Sequence, residues 1–210
     1  MTAMHAAQSP SLRRRAFLAR GAGLMLGATW AGHAGAAAIA TPIPPGYVRV
    51  AAAADIPAAV LFSVACQESV LRFGNKSLPY PWTLCVRGEP MRFNTQDAAV
   101  EKLQACLREG ITNVDCGLLQ VNWAWNAERL GSPRRALDAY ANMGVGAVLL
   151  REHYEATKGD WFEAVGRYHH PSDRTRSVPY AAAVFQRLAR LPQAGAAPRL
   201  RRIVEEGRNA

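Results

Sequence analysis

From Asp55 the apolar positions recur at helical spacing: Ala58, Val60, Leu61, Val64, Ala65 and Leu71 give a broad buried face. Asp55 supplies a cap, Pro57 suits the first turn, and Gly74 offers a left-handed stop. The period then shortens to two. "YPWTLCVRG" and "EPMRFN" alternate apolar and polar residues around a Gly-Glu-Pro turn and predict a small hairpin. "NTQDAAVEKLQACLREG" returns to helix, capped by Asn94 or Thr95, striped by Val100, Leu103 and Leu107, and stopped by Gly110. Ser132 and Pro133 open another helix, Asp138 a long one ending at Gly159, and Asp160 one that Pro171 terminates. "SVPYAAAVFQRLARL" makes the last. The expected fold is mainly α with a small β element and no internal repeat.

The ends of the chain differ from this patterned middle. Arg13-Arg14-Arg15 precede the apolar, glycine-rich run Gly21 to Trp30, and small residues follow in "AGAAAIAT". A basic start, a short apolar middle and an Ala-x-Ala end describe an export signal over 1–40, with Arg14-Arg15 suiting a twin-arginine address. As a membrane anchor the run is too short and too rich in glycine. Residues 41–54 then read as a linker, 55–191 as the domain, and 192–210 as a loosely ordered basic tail. The formal charge of +9 falls to about +5 without segment 1–40, which holds four arginines and no acid. A mildly basic exported chain suits an anionic wall or membrane surface. Nothing in the sequence alternates aromatic and basic residues as a nucleic-acid groove would.

All four cysteines, Cys66, Cys85, Cys106 and Cys116, follow the signal. An even count in an exported chain favours two disulfides, with all three connectivities open. Their spacings of ten to twenty-one residues do not suit zinc, and the adjacent His169 and His170 chelate one metal poorly.

One acid is out of place. Glu68 interrupts the apolar run "VLFSVACQESVLRFG". A carboxyl group in an apolar wall keeps its proton to higher pH, which is what a general acid needs to protonate a departing glycosidic oxygen. The plain alternative is a helix-end glutamate pointing at solvent. Two further stretches weigh against it, "DCGLLQVN" from Asp115 and "AVGRYHHP" from Ala164.

In that order the three stretches resemble the lysozyme-like domain of lytic transglycosylases. That family carries a Glu-Ser pair, a Gly-Leu-Met-Gln-Ile-Asn stretch and an Ala-x-x-x-Tyr-Asn motif. The small exported members that accompany conjugation and type III or type IV secretion machines are the nearest in kind, and the hairpin followed by a helix is similar to the version in integrating conjugative elements. The resemblance spans about Ala54 to Leu191 and implies a lysozyme-like α+β fold with a hairpin beside a cleft. It implies cleavage of the MurNAc-β-1,4-GlcNAc bond of peptidoglycan, with Glu68 as the only catalytic acid. The muramic C6 hydroxyl then attacks its own anomeric carbon to give a 1,6-anhydro end, and no metal or organic cofactor is needed.

By the same resemblance Gln120 lines the cleft, and Asn122, Tyr168 and Tyr180 contact the sugar or the acid. Ser69 either bonds near the acid or caps the helix. His169 stands where the family usually has asparagine. Trp82, Trp123 and Trp125 fit sugar stacking or core packing equally. The implied disulfides are Cys66–Cys116 and Cys85–Cys106. The expected setting is the periplasm, as a monomer whose partners are glycan strands and parts of a conjugation or secretion machine, with no nucleic acid. Two rivals stand beside it: a muramidase that uses water, with Asp115 as second acid, and a non-catalytic wall-binding adaptor.

Overall fold

Pro44 and Pro45 preset the backbone for helix α1 (Pro45–Ala53), whose Tyr47 and Ala51 lie one turn apart and are buried. The Tyr47 ring meets Phe62 edge-on, with centroids 5.0 Å apart. Residues 41–54, expected as a linker, therefore hold a packed helix, because that two-residue apolar stripe has a surface to dock on. The computed structural model describes residues 42–192. The expected export signal over 1–40, and all but the first residue of the expected basic tail over 192–210, lie outside them.

Asp55 closes α1 rather than capping the next helix. It sits in the left-handed region at φ 51°, the Ile56 amide returns to Ala51 O at 3.0 Å, and its carboxylate pairs with Arg151 at 2.7 Å. Helix α2 (Ala58–Ser69) starts after Pro57 and is apolar nearly all round, so it runs through the centre of the domain. Burying each of its Val, Leu and Phe side chains contributes about 2 kcal/mol.

The helix expected to reach Gly74 stops at Ser69 and passes straight into β1 (Val70–Phe73). The reason is local. Val70 is β-branched, and Phe73-Gly74-Asn75-Lys76 makes a two-residue hairpin turn with Gly74 at φ 57°. β2 (Lys76–Pro79) returns antiparallel, pairing Phe73 with Lys76 and Val70 with Pro79.

The expected hairpin is present as β3 (Thr83–Val86) and β4 (Glu89–Arg92). It turns on Arg87-Gly88, both at positive φ, instead of on Gly-Glu-Pro. Two short strands extend it: β5 (Val114–Cys116) pairs Asp115 with Cys85, and β6 (Val121–Asn122) pairs Asn122 with Asp115. The sheet order is β4-β3-β5-β6.

Side-chain caps set most helix starts. Thr95 caps α3 (Gln96–Arg108), Asn122 caps α4 (Trp123–Leu130), Ser132 caps α5 (Pro133–Ala136), and Asp138 caps α6 (Ala139–Ala156). Asp160 caps α7 (Trp161–His169), and Asp173 opens α8 (Arg174–Leu188) three residues before the expected start. α2 packs on α8, α7 on both α6 and α8, and α1 on α2 and α6. One core of Leu61, Val64, Leu103, Leu150, Val165 and Val184 joins these helices. The class is mainly α with a small β component, as the sequence predicts.

Candidate active site

Glu68 is the penultimate residue of α2, where the helix meets the sheet. Burial is the main influence on its carboxyl group and pushes its pKa up to about 7. A hydrogen bond from the Tyr180 hydroxyl opposes that rise, and the nearby Asp115 carboxylate adds to it. Tyr180 comes from α8 and is itself buried. Its phenol donates to Oε1, so a protonated Glu68 carries its proton on Oε2, which has no hydrogen-bond partner among the described residues.

Tyr180 is fixed from its other side by His169. The exposed imidazole stacks on the phenol ring with centroids 4.3 Å apart and planes 3° from parallel. Partial desolvation of the ring, helped by the charges of His170 and Arg176, holds the His169 pKa below its usual value. Histidine in this place keeps the acid's hydrogen-bond partner in position.

The loop Gly117–Gln120 passes under the acid and is tied from three directions. The buried Ser69 hydroxyl donates to Leu118 O at 2.8 Å and to Ala65 O at 3.2 Å. Tyr168 donates to Leu119 O at 2.6 Å. Asn142 of α6, fully buried, accepts from the Leu119 amide at 2.9 Å and donates to Cys116 O at 2.8 Å and Ala136 O at 3.0 Å. Gly117 lies at φ +73°, and a Cβ there would come within 2.7 Å of the Asn142 amide. A Cβ on Gly146 would come within 2.6 Å of Leu119. Both glycines let the loop and α6 close on each other.

These bonds sort the expected site residues. Glu68 and Tyr180 touch. Tyr168 and Ser69 act on the loop's carbonyl groups, and their hydroxyls are committed there. Gln120 sits at φ 44°, with Nε2 donating to Gly117 O at 2.8 Å and Thr83 O at 3.3 Å. Its carbonyl oxygen has no donor among the described residues. Asn122 is occupied: Oδ1 caps α4 at Ala124, and Nδ2 donates to Asp115 at 2.8 Å and Asn113 at 2.9 Å.

Asp115 is the second acid of the site. Burial raises its pKa, while the bond from Asn122, the neighbouring His169 and a bond from the Cys85 thiol hold it down. Trp82 and Trp123 are half-buried and pack against the core, whereas Trp125 is 86% exposed.

Neither expected disulfide is formed; all four cysteines are free thiols. Cys66 lies within electrostatic reach of Tyr47 and Arg187, because α1 and α8 pack on α2. Cys85 points to Asp115 across the β3–β5 pair. Cys116 lies within electrostatic reach of Cys106, and both are buried.

Asn142 is the residue that sequence reasoning missed. Its signal is a lone amide in "AYANMGVG", one turn before Gly146, in a helix with an otherwise apolar face. Compared with protein-family models, curated proteins and solved structures, the chain matches none of them.

Proposed function

We propose that the protein is an exported lytic transglycosylase with a lysozyme-like domain, acting on the MurNAc-β-1,4-GlcNAc bond of peptidoglycan in the periplasm. The observation that carries this reading is Glu68: a carboxyl group whose pKa is raised to about 7 by burial, with one oxygen held by Tyr180. Near neutral pH such a group holds a proton that it can give to a leaving oxygen. General acid assistance of this kind is worth about a hundred- to ten-thousand-fold.

In this reaction Oε2–H of Glu68 protonates the departing GlcNAc oxygen as the anomeric C–O bond breaks. The C6 hydroxyl of the same muramic residue then closes on the anomeric carbon, and its proton returns to Glu68. The Tyr180 hydrogen bond stabilises the carboxylate between the two steps. In this reading the Gln120 carbonyl oxygen, which has no donor among the described residues, accepts from a sugar N–H or hydroxyl. The sequence resemblance adds the biological setting, a local opening of the wall for a conjugation or secretion apparatus.

A second reading is favoured by one observation, the electrostatic contact between Asp115 and Glu68. A muramidase would use Asp115 to assist water or to stabilise the sugar cation. Digestion of purified sacculi followed by mass spectrometry separates the two. Anhydro ends that disappear with Glu68→Gln support the transglycosylase. Reducing ends identify the hydrolase, and glycan binding without cleavage by the wild type identifies an adaptor.

A further inference from the structure

The positive charge of the described residues is concentrated beside Glu68. Residues 70–93, which form the two hairpins, hold Arg72, Lys76, Arg87 and Arg92 against the single acid Glu89. The remaining described residues hold thirteen basic and thirteen acidic side chains, histidine counted as neutral. Of the thirteen other cations, five form ion pairs among the described residues and eight do not. Arg129, Arg134, Arg151, Arg167 and Arg176 each pair with a carboxylate, and all of them lie on the helices. Among the described residues no carboxylate lies within ion-pair distance of any hairpin cation, and all four are exposed.

Against the expectation that no stretch alternates aromatic and basic residues, residues 70–93 interleave these cations with rings. Phe73, Tyr80 and Trp82 form a row with centroids 6.0 and 5.8 Å apart, crossing from the first hairpin to the second. Phe73 is 46% exposed and pairs with Lys76 across the β1–β2 register. Arg92 donates to Val70 O at 3.2 Å and so joins the hairpins, two residues along the chain from Glu68. This surface combines faces for sugars with unpaired charge for anions, and it adjoins the acid.

We infer that the hairpins are the docking surface for the carboxylates of the peptide stems, so that the enzyme prefers peptide-bearing glycan over bare glycan. This rests on the reading above. A muramic lactyl group carries its peptide a short distance from the scissile bond, and the peptide's free carboxylates are ionised at neutral pH. A bare strand of N-acetylated sugars offers the cations nothing. The same mixture of rings and cations could hold a single nucleic-acid strand, but adjacency to Glu68 favours the substrate of that acid.

The test compares intact sacculi with strands stripped of peptide by an amidase. The enzymes are wild type, the triple variant Arg72→Gln/Lys76→Gln/Arg87→Gln, and the charge-preserving Arg72→Lys/Lys76→Arg/Arg87→Lys. Arg92 is left alone because it also holds the hairpins together. On intact sacculi the neutral triple variant loses about tenfold in kcat/KM through KM, and the charge-preserving one stays within about twofold. On stripped strands all three enzymes agree within about twofold.

Equal losses on both substrates, or no loss on either, overturn the proposal. So does tight binding of a thymidine oligonucleotide that the neutral variant loses while cleaving sacculi normally. Co-sedimentation with both substrates in a Glu68→Gln background gives the same comparison without cleavage. Wild type that sediments selectively with peptide-bearing sacculi but forms no anhydro ends therefore sinks the assigned reaction and leaves the docking surface standing.

Discussion

On its helical side Glu68 meets Tyr180 from α8, backed by the stacked His169, with Tyr168 close by. On its sheet side stand Asp115, Asn122, Cys85 and Gln120, joined by hydrogen bonds to one another or to the loop backbone. The helical side removes water and fixes which oxygen can carry the proton. The sheet side adds a negative charge and a spare acceptor. The pKa of Glu68 thus comes chiefly from packing, whereas the polar groups that surround it stand on the strands and on the loop that joins them.

Glu68→Gln attacks the junction of the two sides and has the largest expected effect, a fall in anhydro-product formation of about a thousandfold. It also separates function from stability. The folded-state pKa of about 7 lies above the ordinary value of 4.5, so the folded chain binds the proton more tightly. Stability is then full below about pH 4.5, declines as pH rises to about 7, and levels off beyond. Glutamine carries no such penalty. Denaturant melts should find Glu68→Gln more stable than wild type at pH 8, by at most about 3 kcal/mol, and little changed at pH 4. A variant that is less stable at pH 8 would show that burial does not govern this group.

Asn142→Ala tests the support beneath the sheet side. It strands the Leu119 amide and the Cys116 and Ala136 carbonyl groups in the core. The expected cost is about 3 kcal/mol in a denaturant melt. A cost below about 1 kcal/mol would mean that water replaces the amide.

Asp115→Asn breaks the comparison directly. If the sheet side supplies only charge, activity changes by less than about tenfold and the alkaline limb of the pH–rate profile moves to lower pH, since a charge raising the Glu68 pKa is gone. A loss as large as that of Glu68→Gln makes Asp115 a reacting group and favours the hydrolase. Tyr180→Phe has the smallest effect and the opposite sign. It removes the bond that lowers the Glu68 pKa, so the alkaline limb shifts to higher pH while the His169 stack is kept.

The helices were legible wherever a cap coincided with an apolar stripe, as at Thr95, Asp138 and Asp160, or with a first-turn proline, as at Ser132-Pro133. Glu68 stood out for the same reason, one acid in an apolar run. The first hairpin was hidden because Val70 and Leu71 continue the helical spacing of α2, although Gly74-Asn75 carries a turn signal. β5 and β6 have three and two residues, too short for any period to appear. The partners of Ser69, Asn122 and Asn142 could not be read from sequence. They depend on which backbone groups the tertiary fold leaves unpaired, and short polar side chains bond to whatever is nearest.

The join between α2 and β1 has a mechanical consequence. No spacer separates Ser69 from Val70, so the rod bearing the acid and the ribbon bearing Arg72 and Lys76 are one unbroken span of backbone. Such a span has no slack. Tension applied at the tip of the ribbon reaches position 68 directly, and whatever steadies the tip also steadies the carboxyl group.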